Sequence, residues 1–120
     1  MKNYKVQRKP FVVPTHDGKL IEEHFGLASI SADLSLAHMV APPGWSEPFQ
    51  TPEFDEYTYV VKGRKKFVVQ NEEIILQAGQ SIKICKGTRV QYSNPFEEPC
   101  EYLAICTPPF SIDKANREAQ

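Results

Sequence analysis

Glu56 heads the run Glu56-Tyr-Thr-Tyr-Val-Val61, a strongly β-prone segment that opens on a carboxylate. A carboxylate turned into the interior of a small fold loses hydration. Its neutral form is then favoured, and its pKa rises towards the range a general acid or base needs. The alternative is a structural role, with Glu56 bonded to a tyrosine, to Gln50 or to His38. Gln50 precedes it with an amide that can donate and accept. Trp45 and Phe49 offer flat faces that can stack on a ring-shaped or sugar-like ligand, or else cap a core. In Leu34-Ser-Leu-Ala-His38-Met-Val40, His38 shares one face with Leu34, Leu36 and Val40, while Ser35, Ala37 and Met39 share the other. A histidine in line with three aliphatics is expected to face inward, as a bonded core residue or as a functional group. Tyr92 alternates in phase with Val90, which makes it a second polar group for an inner face, as packing or as a ligand contact.

Other reactive side chains read more plainly. His16 lies in the turn Thr15-His16-Asp17-Gly18 and His24 on a strand face. Cys85, Cys100 and Cys106 are odd in number and form no C-x-x-C pair, which speaks against a disulfide framework or a zinc ribbon. They are expected to serve as small buried hydrophobes. Arg64-Lys65-Lys66 straddles a turn and reads as a solvated edge rather than a phosphate site.

The elements that must position these groups are short. Ten prolines and six glycines divide the chain, and β-branched and aromatic residues fill the pieces. This is the pattern of a sandwich or small barrel. Asp17-Gly18 predicts a turn, residues 19–25 a strand ended by Gly26, and Pro42-Pro43-Gly44 a turn. Lys62-Gly63-Arg64 is expected to be a hairpin turn, and residues 66–77 a hairpin about Asn71-Glu72. The tail from Ser111 predicts a short helix with Ser111 as N-cap and Asp113 in the first turn. A length of 120 residues fits one domain with a core. Net charge −1 with 41% hydrophobic residues suggests neither a nucleic-acid nor a membrane partner. The longest apolar run, Ile74-Ile75-Leu76, is far too short to span a bilayer, and no apolar leader is evident, so a cytoplasmic location is expected.

Two spaced patterns carry a resemblance. Gly44, Gln50, Pro52, Glu56 and Gly63 fall on the frame G-x5-H-x-H-x3-E-x6-G, and Gly79, Cys85, Gly87, Val90 and Asn94 on G-x5-P-x-G-x2-H-x3-N. These are the two motifs of the cupin family, which this chain resembles over roughly residues 34–107. It looks most like compact single-domain cupins of the sugar-isomerase-like and ethanolamine-utilisation kinds. The resemblance implies an all-β fold, a small cupin barrel (double-stranded β-helix, or jelly roll). The expected division of the single domain is an N-terminal arm at 1–18, a barrel core at about 19–107 and a tail at 108–120. It also implies that Glu56 points into the barrel, with Tyr57, Tyr59 and Val61 outward.

In metal-binding cupins the histidines and the glutamate of these motifs hold a divalent ion. The corresponding slots here are Gln50, Pro52, Glu56 and Val90. Proline and valine have no side-chain donor, and Gln50 offers only a neutral amide oxygen. The usual three- or four-donor site is therefore lost, and no cofactor is expected. Four functions remain open. One is a metal-independent barrel that binds a small polar metabolite, carbohydrate-like for example, through Glu56, Gln50, Tyr92 and His38 under a lid of Trp45 and Phe49. Another is an enzyme of isomerase or lyase type with Glu56 as acid or base. A metalloenzyme rebuilt from Glu56, His38 and Gln50, and a filled barrel acting as an interaction module, complete the set. The outward aromatics and the apolar Phe11-Val12-Val13 patch suggest a homodimer, by sheet packing or by exchange of the N-terminal strand.

Overall fold

The computed structural model describes residues 2–30 and 33–119. Ten strands and one helical turn follow one another: β1 (Phe11–Val12), β2 (Leu20–Phe25), β3 (Ser35–Ala41), β4 (Trp45–Ser46), β5 (Asp55–Lys62), β6 (Arg64–Val69), β7 (Glu72–Gln77), β8 (Ser81–Ile84), β9 (Val90–Asn94), β10 (Cys100–Thr107) and α1 (Ile112–Ala115). They form two antiparallel sheets, one in the order β1-β2-β3-β10-β5-β8 and one in the order β4-β9-β6-β7. The sheets face each other as a jelly-roll barrel. Residues of both meet in one core that contains Val60, Phe67, Val90, Tyr92 and Tyr102.

Period-two alternation governs which side chains enter that core. In β5, Glu56, Thr58 and Val60 are buried while Tyr57, Tyr59 and Val61 are exposed. In β10, Cys100, Tyr102, Ala104 and Cys106 are buried, and the residues between them are half-buried.

In β3 the inner face is the opposite of the expected one. Ser35, Ala37 and Ala41 are buried, and they pair with Cys106, Ala104 and Cys100 of β10. Leu36, His38 and Val40 therefore lie on the outer surface. Alternation states which residues share a face but not which face closes. Here large Tyr102 and Tyr92 fill the barrel from other strands, and the facing strand contributes small residues. The aliphatic set is left for the half-covered outside.

Chain punctuation differs from expectation in two places. Lys62-Gly63-Arg64 is not a hairpin turn, because β5 and β6 belong to different sheets. Gly63, at φ 81°, is where the chain crosses between them. A Cβ there would run into the carbonyl oxygen of Pro99, so glycine is required by both conformation and close approach. The β6–β7 hairpin turns on Gln70-Asn71, with φ of 51° and 67°, one residue earlier than expected. Two successive left-handed residues match the twist of a tight hairpin.

Segments near both ends of the described chain are tied to the barrel. β1 pairs with β2, and the Trp45 indole donates to Asp17 Oδ2 at 2.7 Å. At the other end α1 has the expected N-cap, with Ser111 accepting from the Lys114 amide. The residues after it run back across the barrel, and Arg117 bridges Gln50, which also pairs with Val90. Asn94, the last residue of the second motif, is fully buried. Its side-chain amide donates to the carbonyls of Ala41, Pro42 and Glu98, and its oxygen accepts from the Phe96 amide. One side chain thus fastens two loops.

Candidate functional site

A cavity of about 90 Å³ lies inside the barrel. A water needs at least about 10–15 Å³ of such space, so this volume admits several waters or a compact small molecule. Its polar wall is built by Lys19, Glu47, Gln50, Glu56, Lys65, Tyr92, Tyr102 and Arg117, its apolar wall by Ile21, Ala37, Met39, Ala104 and Phe110 among others.

Glu56 enters from β5, and its Oε1 accepts from the Tyr92 hydroxyl at 2.9 Å, across the barrel from β9. Burial pushes the Glu56 carboxyl up. The Lys65 and Lys19 charges and the Tyr92 hydrogen bond oppose that rise and do not cancel it. The Tyr92 phenol is held well above its ordinary value, first by burial and then by the neighbouring carboxylate.

Lys65 comes from β6, in phase with Phe67, and is 2% exposed. Its ammonium lies 3.5 Å from the centroid of the Tyr102 ring, 4.7 Å from that of Tyr92 and 5.2 Å from that of Phe67. Among the described residues no carboxylate comes within ion-pairing distance of it. Burial, helped by the Lys19 charge, lowers its pKa to about 7. Lys19 is buried too, with its ammonium 4.2 Å from the Trp45 ring centroid, and burial lowers its pKa.

Glu47 is shared by two cations. Arg117 Nη2 donates to its Oε2 at 3.0 Å, and Lys19 Nζ lies 3.9 Å from the same oxygen. Arg117 Nε also donates to Gln50 Oε1 at 3.2 Å. One polar group of the lining residues is left over. The Tyr102 hydroxyl is buried, and no described residue bonds it.

Glu56, Gln50 and Tyr92 thus meet on one cavity, as alternation and motif spacing suggested. His38 does not. It lies outside the sheet, its Nδ1 2.8 Å from Glu22 Oε1 and its Nε2 2.6 Å from Glu101 Oε2. The Glu101 bond, more than the Glu22 one, holds its pKa above the ordinary value, against a smaller opposing effect of burial. Trp45 is a core residue under the Lys19 ammonium rather than a lid. Phe49 is half-buried beneath the Arg89 guanidinium, 3.9 Å from ring centroid to Cζ. Neither lines the cavity. Cys100 and Cys106 are buried as expected, but Cys85 is exposed.

Lys65 corrects the reading of residues 64–66 as solvated edge. Its phase with Phe67 and Val69 was visible in the sequence, but lysine is so seldom buried that type outweighed phase. Tyr102, in phase with Cys100 and Ala104, was legible in the same way. Lys19, Glu47 and Arg117 come from loops or strand margins and had no local signal.

The same geometry tests the metal slots of the family. Gln50 Oε1 is engaged by Arg117, Pro52 and Val90 bring no donor, and Glu56 is bonded to Tyr92. Three basic side chains, Lys19, Lys65 and Arg117, line the same cavity. Moving His38 to the outside removes it from any rebuilt set with Glu56 and Gln50. Among the described residues no three His, Cys, Asp or Glu side chains stand together as metal ligands. The donor set does not fit a metal ion.

The Cupin domain family matches residues 37–106, more than half of the chain, and the chain belongs to that family. It is 43% identical over 112 residues to Endoribonuclease YbeY of Myxococcus xanthus; the match takes in 92% of this chain but 38% of that protein. The chain therefore spans well under half the length of that relative. Among solved structures, Streptomyces PAC13 with uridine has a TM-score of 0.75 at 15% identity, covering 99% of this chain and 92% of that one. An RmlC-like cupin of Shewanella frigidimarina has a TM-score of 0.74 at 13% identity, covering 94% and 96%. At such identities the likeness shows the fold alone. No helix among the described residues is long and apolar enough to cross a membrane.

Proposed function

We propose that this cupin barrel binds a small polar metabolite in its cavity, against Glu56, Tyr92, Gln50 and Tyr102, without a metal ion. The observation that carries this reading is the buried Tyr102 hydroxyl, which has no partner among the described residues and belongs to a side chain that lines the cavity. An unsatisfied buried hydroxyl costs about 1–3 kcal/mol, which a ligand acceptor or a bridging water recovers. The mixed wall of aliphatics and a few convergent polar groups is the usual make-up of a small-molecule site. That PAC13 has been solved with uridine is in keeping with a polar ligand in this fold. The nuclease name of the Myxococcus protein is not carried over. The match covers a minor part of that protein, and a net charge of −1 supplies no excess of cations for RNA.

The test is a thermal-shift and native mass spectrometry screen of small polar metabolites. Hits should lose about tenfold in affinity in Tyr102→Phe and be abolished in Ala104→Leu, which fills the cavity. Hits that survive both changes would place binding elsewhere and end this reading.

A second reading is favoured by the Glu56–Tyr92 pair: Glu56 acts on the bound metabolite as an acid or base in an isomerase- or lyase-type step. Glu56→Gln should then abolish turnover of a bound ligand while leaving its affinity within about tenfold. The exposed Tyr57, Tyr59 and Val61 are proposed as the contact of a homodimer. A Tyr59→Asp variant should shift a dimeric mass to a monomeric one.

A further inference from the structure

Lys65 stands apart from the other polar groups of the cavity. Glu56, Glu47, Gln50 and Arg117 all have partners, whereas the Lys65 amine is surrounded by the rings of Tyr102, Tyr92 and Phe67, with no carboxylate of the described residues at ion-pairing distance. Lys65 is nevertheless among the residues that line the cavity. Evolution of a packed interior readily supplies leucine or methionine at an inward strand position. A 2% exposed lysine there, with a second buried lysine on the same wall, is a costly choice. Desolvation beside another cation is the arrangement that makes a lysine a nucleophile.

From this placement we infer that Lys65 is a nucleophilic amine that forms a Schiff base with a small aldehyde or ketone admitted to the cavity, with Glu56 relaying protons. The inference rests on the proposal that the cavity binds a small polar molecule, and it names that molecule's reactive group. The neutral amine attacks the carbonyl carbon, and the carbonyl π pair moves onto oxygen. That oxygen takes the proton of the Glu56 carboxyl, and the nitrogen gives one of its own back to the carboxylate. In the resulting carbinolamine the hydroxyl takes a proton from Glu56 and leaves as water. The nitrogen lone pair forms the C=N bond, and its last proton returns to Glu56. One water leaves for each imine formed, and no oxidant or reductant is consumed. Tyr92 links the two groups, since its hydroxyl bonds Glu56 and its ring borders the amine.

Lys65 with a pKa of about 7 holds a large neutral fraction at neutral pH. An ordinary lysine near 10.4 holds roughly one part in a few thousand. The charged and titratable groups facing Lys65 are Lys19, Glu47, Glu56, Tyr92, Tyr102, Cys100 and Cys106. Lys19, Glu56, Tyr92, Tyr102, Cys100 and Cys106 have their own pKa moved towards the neutral form, by burial first in each case.

The experiment is reductive trapping of the full chain. Limiting formaldehyde with cyanoborohydride at pH 7, followed by peptide mapping, reads which lysines react, and formaldehyde is small enough to enter any cavity that admits water. Lys65 should be methylated at least about tenfold ahead of the exposed lysines. Its rate should rise with pH around 7 and level off well below the pH at which the exposed lysines do. Hydroxyacetone with the same reductant should then give one adduct per chain, at Lys65, slowed about tenfold or more in Glu56→Gln. Lys65→Met, checked for folding by circular dichroism, should lose that adduct. Wild-type protein needs no variant to fold, so labelling confined to exposed lysines overturns the inference outright. Formaldehyde labelling of Lys65 without a hydroxyacetone adduct overturns the proposed ligand class. If Lys65 does not react but metabolites still stabilise the chain in a Tyr102-dependent way, the binding proposal stands and this inference falls. If Lys65 reacts but no metabolite binds, the amine chemistry stands and the binding proposal falls.

Discussion

The barrel carries one cluster of charge in its interior and another on the outer face of the six-stranded sheet, and they obey different physics. Inside, Lys65 and Glu56 have little water and no direct ion pair with each other. Outside, His38 sits between Glu22 and Glu101 with both ring nitrogens bonded. In the inner cluster desolvation dominates, so the lysine is driven down and the carboxyl up, each towards its neutral form. In the outer cluster charge-assisted hydrogen bonds dominate, so the histidine is driven up, towards its charged form. The same ingredients, acids and bases, yield buried groups held towards neutrality in one place and a surface clasp in the other. The difference is which face of the strand closes.

The most severe way to break this contrast is to remove the aromatic wall. Phe67 is fully buried, meets Tyr92 edge-on at 5.7 Å and borders the Lys65 amine. Phe67→Ala should cost about 3–5 kcal/mol in a denaturant titration. If the chain survives, water entering the space should return the Lys65 pKa towards its ordinary value. On the outer side, Leu103→Ala next to His38 should cost far less, because its site is only half-buried.

Next in size is the single hydrogen bond of the inner pair. Tyr92→Phe keeps the ring and removes the donor to Glu56, leaving a buried carboxyl unpaired. The expected loss is about 1–3 kcal/mol in chemical denaturation, together with a further rise of the Glu56 pKa readable by carboxyl-directed NMR titration. An unchanged stability would mean that water replaces the hydroxyl without loss.

The inner lysine and the outer histidine should also bend the pH–stability curve in opposite directions. Lys65 binds its proton more weakly in the folded state than in the unfolded one. Between about pH 7 and its ordinary value of 10.5 the unfolded chain therefore holds more protons, and stability gains with rising pH. Lys19, lowered in the same sense, adds to that slope. His38 binds its proton more strongly when folded. Its contribution is complete below its ordinary value of 6.5 and is lost as pH rises through the higher folded value. Lys65→Met should flatten the gain on the alkaline side, and His38→Asn the loss just above pH 6.5. Equilibrium unfolding at a series of pH values reads both, and matching slopes in the two variants would erase the distinction between the clusters.

Smallest is the outer clasp itself. His38→Ala should cost about 1 kcal/mol or less near pH 6, since the three side chains are partly solvated. It should leave ligand binding in the cavity unchanged, which a thermal-shift titration with any hit would check.

Much of the frame was legible in the sequence. Glycine at positions 44, 63, 79 and 87 sits at positive φ in each case, and the spacing of Glu56 and Asn94 to those glycines marked the cupin barrel. Alternation set Tyr57, Tyr59 and Val61 on the face opposite Glu56 and put Tyr92 in phase with Val90, because the faces of a strand are fixed by backbone geometry, and the cupin resemblance, which turns Glu56 inward, supplied the side. Ser111 announced α1 for an equally local reason, since an N-cap acts within one turn.

What only the tertiary structure decided is which face closes and what the closing brings together. His38 and Lys65 were each assigned a side by residue type, the histidine by its aliphatic company and the lysine by its charge. Both were placed on the wrong side. Packing set the outcome: small Ser35, Ala37 and Ala41 fit against β10, and Leu36, His38 and Val40 were left outside. Arg117, Lys19 and Glu47 converge from distant parts of the chain, and no local pattern records a meeting that depends on two sheets folding over each other. The sequence by itself determined the barrel and its lone motif carboxylate; the packing of the barrel decided that a buried lysine would share the cavity with it.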